Sequence, residues 1–263
     1  MPASATNFGR MSSDETSEDA VLGGKLVLRQ PLRGHRFGHD AILLAAATAA
    51  QAGERAVELG AGVGAAGLAL ARRIEGLGVT LVEIDPVLTV LARDNAARNG
   101  LTDRVRAVCL DVAAPEAAFG AAGLAPASAD RVLMNPPFNA PQNPSPDRGR
   151  RLARTGSDDT LTLWLATAAR LLRPSGVVTL IWRADGLAGV IAALESSFGA
   201  IAVLPIHPKP GAPAIRVLAS AVKERSGPLS LLSGFVLADA NGRPTAQAET
   251  VLRDGAALPL AGS

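Results

Sequence analysis

The sequence predicts an α/β fold: a doubly wound, mostly parallel, seven-stranded sheet with a short N-terminal extension. Three observations predict it. Short apolar segments alternate with helical ones from Arg55 onward, glycines crowd the first strand-to-helix junction, and acidic residues end the next two strands.

Residues 1–22 are rich in Ser, Thr, Asp and Glu and have little to bury, so a disordered acidic leader is expected there. Folding is expected to begin at GGKLVLRQ, with a short strand from Lys25 to Gln30. A glycine-marked turn then leads to Asp40, placed to cap a helix running to about Gln51. The seven strands are RAVEL, VTLVEI, VRAVCL, DRVLM, GVVTLIW, Ile201 to Leu204 and Ile215 to Val222. Helices fill the intervals at about Gly64 to Ile74, Pro86 to Asn99, Asp158 to Leu172 and Leu187 to Phe198. Pro86 suits a first helical turn, and Gly100 stands where a glycine ends a helix. A proline- and arginine-rich stretch from Asn139 to Thr155 interrupts the alternation. One domain is read over residues 23–225. Residues 226–263, with a turn at ANGRP and a helix from Ala246 to Arg253, are read as a tail packing on it.

In 263 residues, 48% apolar and 19% charged, a sizeable core can form. The net charge is only +2, so bulk charge neither supports nor excludes a nucleic-acid partner. The single cysteine, Cys109, excludes an internal disulfide, and His35, His39 and His207 lack metal-ligand spacing, so no metal is expected. The longest apolar run, Ala41 to Ala50, is too short to span a bilayer, and no targeting segment is recognisable. A cytoplasmic protein without a membrane partner is the expectation.

The segment VELGAGVGAAGLALA sets Gly60, Gly62 and Gly64 between a strand and a helix, where bare backbone approaches a ligand closely and the helix start offers free N–H groups. Glu83 ends the next strand, where a carboxylate can accept from both hydroxyls of a ribose, and an adenosine-bearing cofactor follows. Gly62, Gly64 and Gly67 also fit G-x-G-x-x-G, so NAD or FAD and an oxidoreductase stay open. Three features lean away from a dinucleotide. Glu58 puts an acid before the glycines, where an ammonium group would find a partner. The segment GHRFGHD adds a helix before the first sheet strand. Asp111 ends the third strand, where a carboxylate can accept from an adenine amine.

This arrangement resembles the class I S-adenosylmethionine-dependent methyltransferases, whose sheet is of the Rossmann-like type. The resemblance implies that Gly60, Gly62 and Gly64 line the methionine part of the cofactor, that Glu83 holds its ribose, and that Asp111 contacts its adenine.

The fourth strand runs straight into MNPPF, so Asn135 emerges at the same carboxyl edge as Gly60, Glu83 and Asp111. Pro136 and Pro137 fix two backbone angles and remove two N–H donors, leaving a stiff turn dominated by acceptors. The Asn135 side-chain oxygen and the Pro136 carbonyl could each accept one hydrogen of a planar amine, freeing its lone pair, while Phe138 stacks on the substrate. Asn135, Pro136 and Phe138 are therefore the candidate catalytic residues, with Asn135 also bordering the cofactor. The tetrapeptide matches the [N/D/S]-P-P-[F/Y/W] motif of amino methyltransferases acting on adenine, guanine or glutamine nitrogen.

Further segments, LRQPLRGHRFGHDAILLAAA, LVEIDP, NAARNG, PSPDRGRRLAR and HPKPGAPAIRVL, resemble in their order the bacterial family of the tRNA(Val) adenine N6-methyltransferase. That resemblance runs from about Gly23 to the C-terminus. It implies an RNA substrate, tRNA adenine N6, and a place near the cofactor for His39 and Asp40. Read as plain sequence, those two residues are a capped helix start. Arg148, Arg150, Arg151 and Arg154 follow the N-P-P-F turn and could clamp phosphates around a flipped base, or form a solvated loop. Arg33, Arg36 and Lys209 could extend a basic rim. No separate RNA-binding module is recognisable, which leaves recognition to the catalytic domain, its loops or a homodimer partner. A protein glutamine, as in release-factor methyltransferases, is the alternative substrate within the same chemistry.

Overall fold

The computed structural model describes residues 15–34, 36–137 and 157–262. A single nine-stranded sheet carries the fold, in the order β10-β8-β9-β7-β6-β3-β4-β5, with β11 pairing on β8. Its long strands are β3 (Arg55–Leu59), β4 (Gly78–Glu83), β5 (Val105–Cys109), β6 (Ala129–Met134), β7 (Leu172–Arg183), β8 (Phe198–His207) and β9 (Arg216–Lys223). These are the seven expected strands. β10 (Ser230–Leu231) and β11 (Phe235–Val236) add two short parallel pairings at the β8 edge. Only β9 runs antiparallel to its neighbours β7 and β8.

Strands buried on both faces read as near-continuous apolar runs, and Val132, Leu133 and Met134 of β6 are all fully buried. On one face lie α1 (His39–Ala47), α2 (Ala65–Arg73) and α3 (Pro86–Arg98), packed through Leu43, Leu68 and Ala92. The other face carries α4 (Glu116–Ala121), α5 (Ser157–Leu171) and α6 (Leu187–Leu194), packed through Phe119, Leu165 and Val190. The short α4 has no counterpart among the expected helices, because six residues are too few to show a helical period; burial of Phe119 anchors it. Among the described residues no helix is long and apolar enough to cross a membrane.

The N-terminal extension differs from its expectation. Thr16–Val21, placed by sequence in a disordered leader, forms strand β1, antiparallel to β2 (Leu26–Pro31). Its acids are partnered: Glu18 pairs with Arg98 at 3.0 Å and Asp19 with Arg36 at 3.0 Å. Asp19 also accepts from Gln30 at 2.7 Å, which holds its carboxyl below the usual range. Residues 1–14 lie outside the described residues.

The tail after Lys223 joins the same body. Leu258 and Leu260 are buried in the core, and the Leu258 N–H donates to the Ala46 carbonyl at 2.8 Å. The expected last helix is split: α7 (Ala246–Glu249) passes into a wider π-type turn at Thr250–Asp254.

Candidate active site

The strand order reverses between β3 and β6, since the chain runs outward through β4 and β5 before returning to the far side of β3. In open α/β sheets ligands bind at such a switch point, beyond the carboxyl ends of the strands. Leu59 pairs with Met134 in register, so Gly60 and Asn135 leave adjacent strand ends about 4.8 Å apart.

The glycines of the first turn do different jobs. At Gly60 (φ +68°) a Cβ would stand 2.3 Å from the ring of Trp164 on α5, and at Gly64 it would meet Leu81 at 2.7 Å. Those two are small because protein closes on them. Gly62 (φ +55°) has nothing within 4 Å of the same position, so it is the glycine whose backbone faces open space.

Glu83 holds that turn. Its Oε2 accepts from Gly62 N–H at 2.7 Å and its Oε1 from Asp85 N–H at 2.9 Å. The side chain is 7% exposed, and burial pushes its carboxyl up. Asp85 caps α3, accepting from Val87 N–H at 2.7 Å and Leu88 N–H at 3.3 Å, with Pro86 in the first turn as expected. Next to Glu83, Ile84 is 45% exposed, an apolar surface at the carboxyl edge that sequence reading did not single out. Asp111 follows β5, and its Oδ1 accepts from Ala113 N–H at 2.8 Å, which orients the carboxylate.

Glu58 lies deeper than the sequence reading placed it. It is 5% exposed, and its Oε2 accepts from Gly67 N–H at 2.7 Å, in the first turn of α2. Burial pushes its carboxyl up to about 8, and the neighbouring Glu83 adds to the rise.

Asp40 is not the cap of α1. Gly38 takes that position, and Asp40, in the first helical turn, pairs with Arg216 at 2.9 Å where β9 starts at the carboxyl edge. The helix also stops at Ala47, four residues before Gln51.

Asn135 carries the sharpest signal. Its Oδ1 is buried and accepts no hydrogen bond from the described residues, whereas buried polar atoms are nearly always partnered. Pro136 beside it is buried. The expectations for Phe138, Arg148, Arg150, Arg151 and Arg154 fall outside the described residues.

Of the proposed basic rim, Arg33 and Lys209 are exposed, while Arg36 is engaged by Asp19. A separate groove of about 500 Å³ opens at the opposite edge, lined in part by Arg55, Gly78 and Arg106. Arg106 there donates to the Ala122 carbonyl at 2.8 Å and the Gly123 carbonyl at 3.2 Å, and the amino ends of parallel strands are not where such sheets bind ligands.

Trp164, one of two tryptophans, was also missed by sequence reading. Its rarity was the available signal, but only the fold brings it onto Gly60.

The chain is similar to the tRNA1(Val) (adenine(37)-N6)-methyltransferase of Porphyromonas gingivalis, with 32% identity over 158 residues, covering 58% of this chain and 60% of that protein. It therefore spans about 60% of that relative's length. The enzyme of the same name from Bacteroides thetaiotaomicron is 29% identical over 185 residues, covering 70% and 75%. Among solved structures, the crystal structure of a predicted O-methyltransferase, protein Atu636 from Agrobacterium tumefaciens, superposes with a TM-score of 0.69. It is 31% identical and covers 83% of this chain and 98% of that one. The family model described as "Methyltransferase small domain" matches residues 37–209, two thirds of the sequence, and with the switch-point glycines and the N-P-P turn in place the chain belongs to that family.

Proposed function

We propose that the protein is an S-adenosylmethionine-dependent N-methyltransferase acting on an exocyclic amine of RNA, adenine N6 in tRNA. The observation that carries the reading is the buried, unpartnered Asn135 Oδ1 on the strand end next to the glycine turn. The names of the relatives support the choice of tRNA adenine.

The residues present fit the cofactor. Gly62 leaves room for it, the Glu83 oxygens keep lone pairs for a ribose beyond their two backbone donors, Ile84 offers an apolar face to adenine, and Asp111 offers an acceptor to the adenine amine. When bound, the cofactor supplies a methyl group on a positively charged sulfur.

The protein's contribution is orientation. An adenine amine has two hydrogens and a lone pair delocalised into the ring. Asn135 Oδ1 and the Pro136 carbonyl each accept one hydrogen, turning the lone pair out of the ring plane toward the cofactor side. Two fixed acceptors in a desolvated pocket need no reorganisation, and no strong base is required because the nitrogen becomes acidic only once alkylated. A hydroxyl, with one hydrogen, would leave one of the two acceptors unmet. Phe138 is assigned the stacking wall and Arg148, Arg151 and Arg154 the phosphate contacts. The exposed Arg33 and Lys209 are the remaining candidates for a basic rim.

The test incubates the protein and methyl-labelled cofactor with tRNA, rRNA and ribosomal-protein fractions, release factors included. Label recovered as N6-methyladenine in tRNA is the expected result. Label confined to protein would replace RNA by a glutamine substrate, and calorimetry showing no binding of S-adenosylhomocysteine would overturn the cofactor.

A further inference from the structure

The sequence motif NAARNG, Asn95 to Gly100, has no part in the chemistry above, yet it holds a fully buried amide. Asn95 is 0% exposed, and its amide oxygen and both amide hydrogens are engaged. Its Oδ1 accepts from Arg29 N–H at 2.7 Å, and its Nδ2 donates to the Arg29 carbonyl at 2.9 Å and the Val63 carbonyl at 3.0 Å. Two carbonyl oxygens can only accept, so the amide orientation is fixed. One turn along α3, Asn99 repeats the pattern on Val27: its Oδ1 accepts from Val27 N–H at 3.0 Å and its Nδ2 donates to the Val27 carbonyl at 2.9 Å.

The repeat works because two periods nearly coincide. Four helical residues rise about 6 Å and two strand residues about 6.7 Å, so asparagines at i and i+4 meet alternate residues of a strand edge. The free edge of β2 is thereby paired as if by a third strand. The two asparagines differ in one respect. The second Nδ2 hydrogen of Asn99 goes to the Asn95 carbonyl within its own helix, at 2.8 Å, while that of Asn95 reaches Val63, between Gly62 and Gly64.

We propose that Asn95 is a positioning residue for the cofactor turn and couples it to the N-terminal β1–β2 hairpin. The turn is held from two sides, by Glu83 at Gly62 N–H and by Asn95 at the Val63 carbonyl. The hairpin, outside the sheet and outside residues 37–209 of the family match, becomes part of the binding apparatus through one amide. The inference rests on the cofactor reading above, and it extends to coupling in both directions: a ligand that orders the turn also steadies the hairpin, since coupling free energy is reciprocal.

Asn95→Asp keeps acceptance from Arg29 N–H and loses both donations. Asn99→Asp also loses two donations but leaves the turn untouched. In calorimetry with S-adenosylhomocysteine, Asn95→Asp is expected to weaken binding roughly tenfold and Asn99→Asp by less than about twofold. At saturating cofactor, kcat of Asn95→Asp stays within about twofold of the parent, because the reacting groups are unchanged. Equal losses in the two variants, or none in either, would overturn the proposal. Should Asn95→Asp fail to fold, hydrogen exchange of the unmodified protein decides: S-adenosylhomocysteine is expected to slow exchange at Arg29, and binding without such slowing overturns the coupling. Failure of the unmodified protein to bind the ligand at all would instead overturn the cofactor reading.

Discussion

Asn95 is buried whole and Asn135 through its side-chain oxygen, yet the amide oxygen and both amide hydrogens of the first are bonded while the oxygen of the second has no partner among the described residues. The contrast separates two kinds of buried polar group. A satisfied amide contributes stability and geometry, and removing it strands its partners. An unsatisfied oxygen costs stability in the free protein, and a ligand that donates to it recovers that cost. Glu58 stands between them, one oxygen engaged by the start of α2 and its carboxyl pushed up by burial.

The largest effect is expected at Asn135. Asn135→Ala should lower methyl transfer by roughly 10²–10³-fold, the scale for loss of one oriented polar group aimed at a reacting centre. Affinity for S-adenosylhomocysteine should stay within about twofold and the melting temperature should hold or rise, since an unmet acceptor has been removed. Initial rates, calorimetry and a thermal melt on one preparation check this; a variant with normal rates would end the comparison.

The next effect is a pH dependence at Glu58. Its folded carboxyl titrates near 8 against an ordinary value of 4.5, so between those pH values the folded protein holds a proton that the unfolded chain has released. Stability contributed by the neutral form is complete below the unfolded value and is lost as pH rises through the folded one, a span of up to about 5 kcal/mol. Glu58→Gln stays neutral and keeps an acceptor for Gly67 N–H. It is therefore expected to melt higher than the parent at pH 8.5 and nearly level with it at pH 5. Parallel melting curves at the two pH values would contradict the assignment.

Asn95→Leu should cost about 2–4 kcal/mol in urea unfolding, leaving Arg29 N–H, Arg29 C=O and Val63 C=O without their partner. The same measurement on Asn135→Ala should move by less than about 1 kcal/mol. If the two losses were alike, burial rather than satisfaction would be the governing variable.

The smallest and sharpest test pairs two glycines. Gly60→Ala adds a methyl group against Trp164 and is expected to cost about 1–3 kcal/mol of stability. Gly62→Ala meets open space and should cost only about 1 kcal/mol for its positive φ, yet it should weaken ligand binding more than its stability loss suggests. Comparing melts with ligand titrations for both variants separates a packing glycine from a binding one.

The parallel sheet was legible because its signal is local: short apolar runs, helix caps such as Asp85, and a proline in the first turn at Pro86. The hairpin was misread because strand β1 shows no apolar run. Its acids suggested solvent until arginines distant in sequence, Arg36 and Arg98, supplied their partners. Glu58, Glu83, Asp111 and Asn135 were all recognisable as strand-end polar residues, and the N-P-P turn by its composition. Trp164 and Asn95 were not, because each acts through a contact made across the fold, and Ile84 was not, because its exposure is set by the assembled sheet edge.

By itself, then, the sequence determined the α/β class, the strand edge at which Gly60, Glu83, Asp111 and Asn135 emerge, and the chemical character of that edge, each strand end carried by its own local pattern. The tertiary structure alone decided which glycine faces open space, that Asp40 is engaged by Arg216, and that an amide on α3 joins the N-terminal hairpin to the glycine turn. The reason is physical. Close approach and hydrogen-bond satisfaction are properties of pairs, and Gly60 with Trp164, Asp40 with Arg216, and Arg29 with Asn95 become neighbours only when the sheet and its helices assemble.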